Sequence, residues 1–223
     1  MNEKQTPLMA ESARRRSIGF LNWAHFLDHY VILIFPTVVI GLEAVYGRSY
    51  GDLLILSTAM FTAFGLFALP SGWLADKWSR RNMIAIYFFG TGICCVLVGV
   101  SESFETLAVA LFGVGLFAAI YHPVGTPMVV DAAITRGRTM AFNGICGNIG
   151  VSIASGCTAV IVSGFGWRFA FPVAFRYLLG FSGKVGNNIV VQPSVMVDEY
   201  IEFVSRLLLA FGTSCIRLTG MAL

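Results

Sequence analysis

Charge is what this sequence has least of. Asp, Glu, Lys and Arg make up 12% of its 223 residues, against 57% hydrophobic, and the mean hydropathy is +0.76. A soluble domain carries about 25% charge. A chain with half that proportion has no means of covering its core with a polar skin, which excludes a water-soluble globular fold. The net charge of +3 does not point to nucleic acid, because the basic residues stand in short clusters between apolar runs, where they orient a membrane protein. Cysteine is sparse too. Of the five present, Cys94, Cys95, Cys146 and Cys157 lie inside apolar runs, Cys215 near the end, and no C-x-x-C pair exists. The cysteines therefore point to neither a disulfide framework nor a zinc site, and the thiols read as small packing residues. No cofactor-binding pattern is present, so no cofactor is expected.

What the sequence does have is long intervals without charge. Between Arg16 and Glu43 only Asp28 intervenes. The intervals Asp52 to Asp76, Arg81 to Glu102, Glu105 to Asp131 and Arg138 to Arg168 hold none. Each meets the ~20 residues a helix needs to cross hydrocarbon. They are too long for barrel strands, and unpaired backbone cannot face lipid, so helices are expected at about 18–41, 53–75, 83–100, 106–130 and 140–163. Residues 1–16 end in Arg14-Arg15-Arg16, as a signal peptide's basic region does. The apolar stretch behind them is too long and holds Asp28, so an uncleaved first span is expected. Lys4, Arg14, Arg15, Arg16, Lys77, Arg80, Arg81, Arg136 and Arg138 all fall on one side of this topology, and Arg48 and Arg168 on the other. The positive-inside rule then places the amino terminus in the cytoplasm of a multi-pass protein of the cell (inner) membrane.

A sixth span begins at Trp167-Arg168-Phe169 but is interrupted by Arg176 and Lys184. Beyond it, Ile201 to Leu218 suits an amphipathic surface helix. The expected organisation is a cytoplasmic segment 1–16, a transmembrane bundle 17–174 and an atypical tail 175–223, consistent with a truncated or frame-shifted end.

The loop after the second span reads Gly72-Trp73-Leu74-Ala75-Asp76-Lys77-Trp78-Ser79-Arg80-Arg81. Gly72 allows close helix approach, Asp76 accepts hydrogen bonds from a helix amino terminus or an arginine, and the basic residues hold the loop in the cytosol. This segment resembles the signature G-x-L-a-D-r-x-G-r-[RK] of the major facilitator superfamily. Gly72, Leu74, Asp76, Lys77, Arg80 and Arg81 match, and Ser79 stands at the second glycine. Phe165-Gly166-Trp167-Arg168 is similar to the family's entry into its sixth helix. Tyr121-His122-Pro123 and Gly147-Asn148-Ile149-Gly150 are similar to the fosmidomycin-resistance-like group. The sequence departs from drug antiporters in having Val109 near their span-four arginine and no G-P-x-x-G-G in span five. The resemblance implies an all-α integral membrane bundle of five to six helices, half of a twelve-helix fold, in two inverted three-helix repeats. It also implies that the Gly72–Arg81 loop switches the protein between conformations, and that spans one and four face a central cavity.

In span one, His25, Asp28 and His29 share a helix face by their spacing of three and four, with Asn22 nearby. A carboxylate at that depth is expensive when ionised and is a functional candidate by default. It and a histidine are suited to share a proton. Structural pairing of Asp28 with one histidine is the plainer alternative. With the implied topology, His122 would sit across from this group, and Asn148 in span five would line a substrate path. Taking the same residues as ligands of a membrane metalloenzyme needs three or four convergent groups. Three histidines in the whole chain argue against it, so no metal is assigned. Gly144, Gly147 and Gly150 read as a helix-packing stripe, and Pro36, Pro123 and Pro127 as bends that would serve alternating access.

The expected function is secondary transport of a small molecule, coupled to protons, with the bilayer and a missing carboxy-terminal half or a second copy as partners. The competing expectation is a non-transporting remnant or half-size module.

Overall fold

Backbone amides in hydrocarbon can be satisfied only inside their own segment, so each charge-free interval closes into a helix. The structure, a computed structural model, describes residues 11–173. Helix α1 (Glu11–Val38) runs through a 3-10 turn (Val39–Gly41) into the short α2 (Glu43–Tyr46). Then follow α3 (Tyr50–Lys77), α4 (Arg80–Val100), α5 (Phe104–Ala118), α6 (Tyr121–Ala132) and α7 (Arg136–Phe165). A 3-10 turn (Trp167–Phe169) leads into helix at 170–173. Among the described residues there is no strand. Five helical segments are long and apolar enough to cross a membrane: Glu11–Gly41, Tyr50–Lys77, Arg80–Val100, Phe104–Ala132 and Arg136–Phe165. Every expected span falls inside one of them. The chain is an integral membrane helical bundle. The remainder of the sixth span and the amphipathic helix expected at 201–218 lie outside the described residues.

Local chemistry sets the helix limits. At the amino end the helix already includes Glu11–Arg16, ahead of the expected span, and Glu11 pairs with Arg14 and Arg15 one turn on, at 2.6 Å each. Such pairs support a helix ahead of its apolar part. Serines cap three of the spans. Ser49 accepts from the Asp52 amide, Ser79 from that of Asn82, and Ser103 forms a capping box with Thr106. Gly166, at φ 87°, ends α7 in the left-handed region that favours glycine. The fourth span is broken where Pro123 has no N–H for the Ala119 carbonyl. The chain tightens there, Ile120 bonding Phe117 at 3.2 Å. Pro36 and Pro127 sit within unbroken helices.

Without a hydrophobic drive between helices in lipid, association rests on close van der Waals fit. Helix α1 packs most extensively on α7 and also on α6, while α5 lies against both α3 and α4. Glycines make the closest crossings. A Cβ on Gly150 would overlap the Phe26 carbonyl of α1, and one on Gly115 the Met60 carbonyl of α3. Helix α7 buries only a single narrow stripe, Asn143, Gly147, Gly150, Ala154 and Thr158. In its most apolar stretch 22% of residues are buried, against 67% in α4, so most of its apolar surface has no protein neighbour among the described residues.

Side-chain bridges sort the loops into two ends. At one end Arg80 reaches Asp131 at the close of α6, 2.9 Å away. At the other, Arg48 lies 4.2 Å over the Phe104 ring, and Arg168 donates to the Gly99 carbonyl (3.2 Å) and to that of Ser101. The basic connectors after α3 and α6 thus share one end, as the alternation of spans requires.

Candidate functional site

The only charged side chain buried among the described residues is Asp28 on α1, 1% exposed. Neither carboxylate oxygen has a hydrogen-bond partner among those residues. The nearest cation-forming group is His122 Nε2 of α6, 3.5 Å from Oδ2, on a side chain that is 38% exposed. An ionised, unpaired carboxylate in such a place is costly. Asp28 can be held there as a carboxylic acid or as the partner of a protonated His122, and a proton can move between these two groups.

His25 and His29 stand beside them. The His25 Nδ1 nitrogen is 2.8 Å from the backbone oxygen of Asn143 on α7. A carbonyl only accepts, so Nδ1 carries the proton and the neutral ring presents the Nε2 lone pair. His29 Nε2, 3.1 Å away, donates to it. The His122 ring meets those of His25 and His29 edge-on, with centroids 5.2 and 5.3 Å apart. One ligand-type atom from each histidine lies within 4.8 Å of the others.

A frame of hydroxyls and amides fixes this arrangement. Tyr121 donates to the Leu21 carbonyl (2.8 Å) and Tyr87 of α4 to that of Ala24 (3.3 Å). The Asn143 amide donates to Asn22 Oδ1 (2.9 Å) and reaches the Tyr121 hydroxyl (3.4 Å). Four spans therefore contribute to one polar centre in an apolar bundle. Gly147 leaves room for it, since a Cβ there would stand 2.8 Å from His25 Cε1 and Nε2 and 2.9 Å from His29 Cδ2.

The expected residues His25, Asp28, His29 and His122 are thus brought together. Asn148 is not among them. It stands exposed on α7, its backbone oxygen taken by Ser152, and Asn143 is the asparagine the cluster uses. Sequence reasoning passed over the roles of Tyr87 and Tyr121, and of the Asn143 carbonyl. The available signal was a hydroxyl or amide mid-span, which must find a partner when no water is near.

The Gly72–Arg81 segment closes α3 and opens α4. Arg80 bridges Asp76 (3.0 Å) and Asp131 (2.9 Å), so the loop is tied to the end of the fourth span. Asp131 served in the sequence only as an interval's boundary. A Cβ on Gly72 would lie 3.1 Å from Pro123 Cβ, which places the glycine directly against the fourth span's bend. Lys77 lies in the last turn of α3, where a cation suits the helix dipole, and Arg81 lies in the first turn of α4.

The family model described as Major Facilitator Superfamily matches residues 18–175. The chain belongs to the major facilitator superfamily. Among curated members of the superfamily, it is 27% identical over 127 residues to the "Probable L-galactonate transporter" of Escherichia coli K12, covering 56% of this chain and 28% of that protein. It is 28% identical over 131 residues to the puromycin resistance protein pur8 of Streptomyces alboniger, covering 55% and 26%. With the "Putative multidrug resistance protein MdtD" of Escherichia coli O9:H4 (strain HS) it is 30% identical over 212 residues, covering 92% and 43%. The superfamily match stops at residue 175, whereas this last alignment continues beyond it. The chain spans less than half the length of these curated relatives. Within the superfamily signature, Ser79 at the second glycine has a local explanation. It is extended (φ −167°, ψ 119°) rather than left-handed, and its hydroxyl caps α4, so the position does not require glycine.

Proposed function

We propose that this chain is the amino-terminal bundle of a secondary active transporter that carries a small molecule by alternating access, driven by the proton gradient through Asp28. The observation that carries this reading is the buried carboxylate of Asp28, without a hydrogen-bond partner among the described residues, 3.5 Å from the part-open His122. Such a pair, spanning helices α1 and α6, can accept a proton from one side of the membrane and release it to the other when the helices shift. His25 and His29 extend the proton path, and Asn148 on the exposed face of α7 contacts substrate or the second bundle. The Arg80 bridge between Asp76 and Asp131 is the latch at the basic end. That end lies in the cytoplasm by the positive-inside rule, and the membrane is the cell (inner) membrane. The other half of the carrier, or a second copy of this chain, covers the exposed faces of α3 and α7.

The test is gradient-driven transport in cells and in proteoliposomes holding the full chain. L-Galactonate and puromycin, named by the relatives, serve as first substrates. Asp28→Asn is expected to abolish gradient-driven movement while leaving expression and membrane insertion intact. Transport at the unmodified rate in that variant would end the assignment.

A second reading, a half-size module that does not transport, draws support from the narrow buried stripe of α7. It predicts a defined oligomer in detergent and no substrate movement with any partner half.

A further inference from the structure

The mechanism proposed above turns on Asp28 and His122, and gives His25 and His29 only a supporting part in the proton path. We infer that His25, His29 and His122 form a binding site for a divalent transition-metal cation of the zinc class, with Asp28 as its charge partner. This assignment rests on the reading that the same cluster faces a transport path.

The geometry carries it. One nitrogen from each of the three histidines lies within 4.8 Å of the other two. In a tetrahedral site with metal–nitrogen bonds of about 2.0–2.1 Å, ligand atoms are about 3.3 Å apart. The His25 to His29 nitrogen separation of 3.1 Å is close to that value. Closing the set needs His122 to move by about 1.5 Å, the gap between 4.8 Å and a tetrahedral edge. Its side chain is 38% exposed, which leaves one side of the ring open as the entry route. Three imidazoles leave the fourth position to water or an incoming group, the pattern of sites that exchange a ligand.

Three further features fit a metal. The His25 Nδ1–H bond to the Asn143 carbonyl is the outer contact that orients ligating histidines and turns the other lone pair inward. Asp28 supplies a negative charge beside the cluster, and its oxygens have no other partner among the described residues. Gly147 keeps the space next to His25 and His29 clear. Imidazole nitrogen selects zinc, copper, nickel and cobalt over magnesium and calcium, which take oxygen ligands. On binding, His29 gives up its Nε2 proton to Nδ1 through solvent, and the ring stays neutral.

The experiment uses the full chain purified in detergent and titrated with Co²⁺. One equivalent is expected to give the intense visible bands of four-coordinate cobalt, without a thiolate-to-cobalt charge-transfer band. Zn²⁺ should displace it, and Mg²⁺ and Ca²⁺ should not. His25→Gln, His29→Gln and His122→Gln should each weaken binding at least tenfold, with size-exclusion profiles unchanged. Asp28→Asn should retain the cobalt bands at lower affinity, while losing gradient-driven transport if the function proposed above holds. Absence of the bands in the unmodified chain, or bands carrying thiolate character, overturns the cation site and leaves the proton-coupled reading standing. Retained bands with unimpaired Asp28→Asn transport overturns only the latter.

Discussion

Replacing Gly147 with alanine puts the contact between α1 and α7 to a quantitative test. The new Cβ would lie 2.8 Å from His25 Cε1 and Nε2 and 2.9 Å from His29 Cδ2. Carbon atoms rest about 3.5–4.0 Å apart, so the shortfall is roughly 0.7 Å or more. His25 has little freedom to yield. Its Nδ1 is held by Asn143 at 2.8 Å, and its ring stacks on Tyr121 with centroids 5.1 Å apart. Either the helices separate or the histidine loses its bond. Overpacking of this kind costs about 1–3 kcal/mol, a change of about 5- to 150-fold in the folding equilibrium. Gly144→Ala on the same helix is the control. Among the described residues nothing lies within 4 Å of its Cβ, so it should gain the about 0.4–1 kcal/mol that alanine brings to a compatible site. Unfolding in mixed micelles of rising SDS fraction, followed by tryptophan fluorescence, should separate the two variants by about 1.5–4 kcal/mol, combining those ranges. Coincident unfolding curves would refute the stated approach of α7 to the histidines.

Other consequences are smaller or more local. Arg80→Ala and Asp131→Asn each break an exposed pair, so stability should fall by no more than about 1 kcal/mol. A double-mutant cycle between them should still return a coupling above zero, and a null coupling would remove the bridge. Ser79→Ala should cost about 1 kcal/mol through loss of the α4 cap, while Ser79→Gly should cost only a few tenths; equal costs would remove the capping role. Arg168→Ala deprives the Gly99 and Ser101 carbonyls of their shared donor. It should speed hydrogen exchange at the end of α4 and leave α1 unaffected.

The spans were legible in the sequence because lipid imposes one rule on every segment, and a charge-free interval about twenty residues long has one stable form in it. The pairing of His25, Asp28 and His29 was legible for the same reason, since helical spacing puts them on one face. Asn143 was not. Its carbonyl meets His25 only because Gly147 and Gly150 let α7 approach α1 closely enough. Asn148, on the same helix and of the same type, points elsewhere by rotation alone.

The sequence by itself therefore determined the class of protein, the five crossings within the described residues and the end that carries the basic loops, all of which depend on each segment's own exchange with lipid or water. Tertiary structure decided which polar groups meet. Asp28 beside His122, three histidines within 4.8 Å, and Arg80 joined to Asp131 each require contact between segments far apart in the chain. Such contacts depend on how closely backbones approach and how each helix is rotated. Those are properties of the packed bundle, and no single segment contains them.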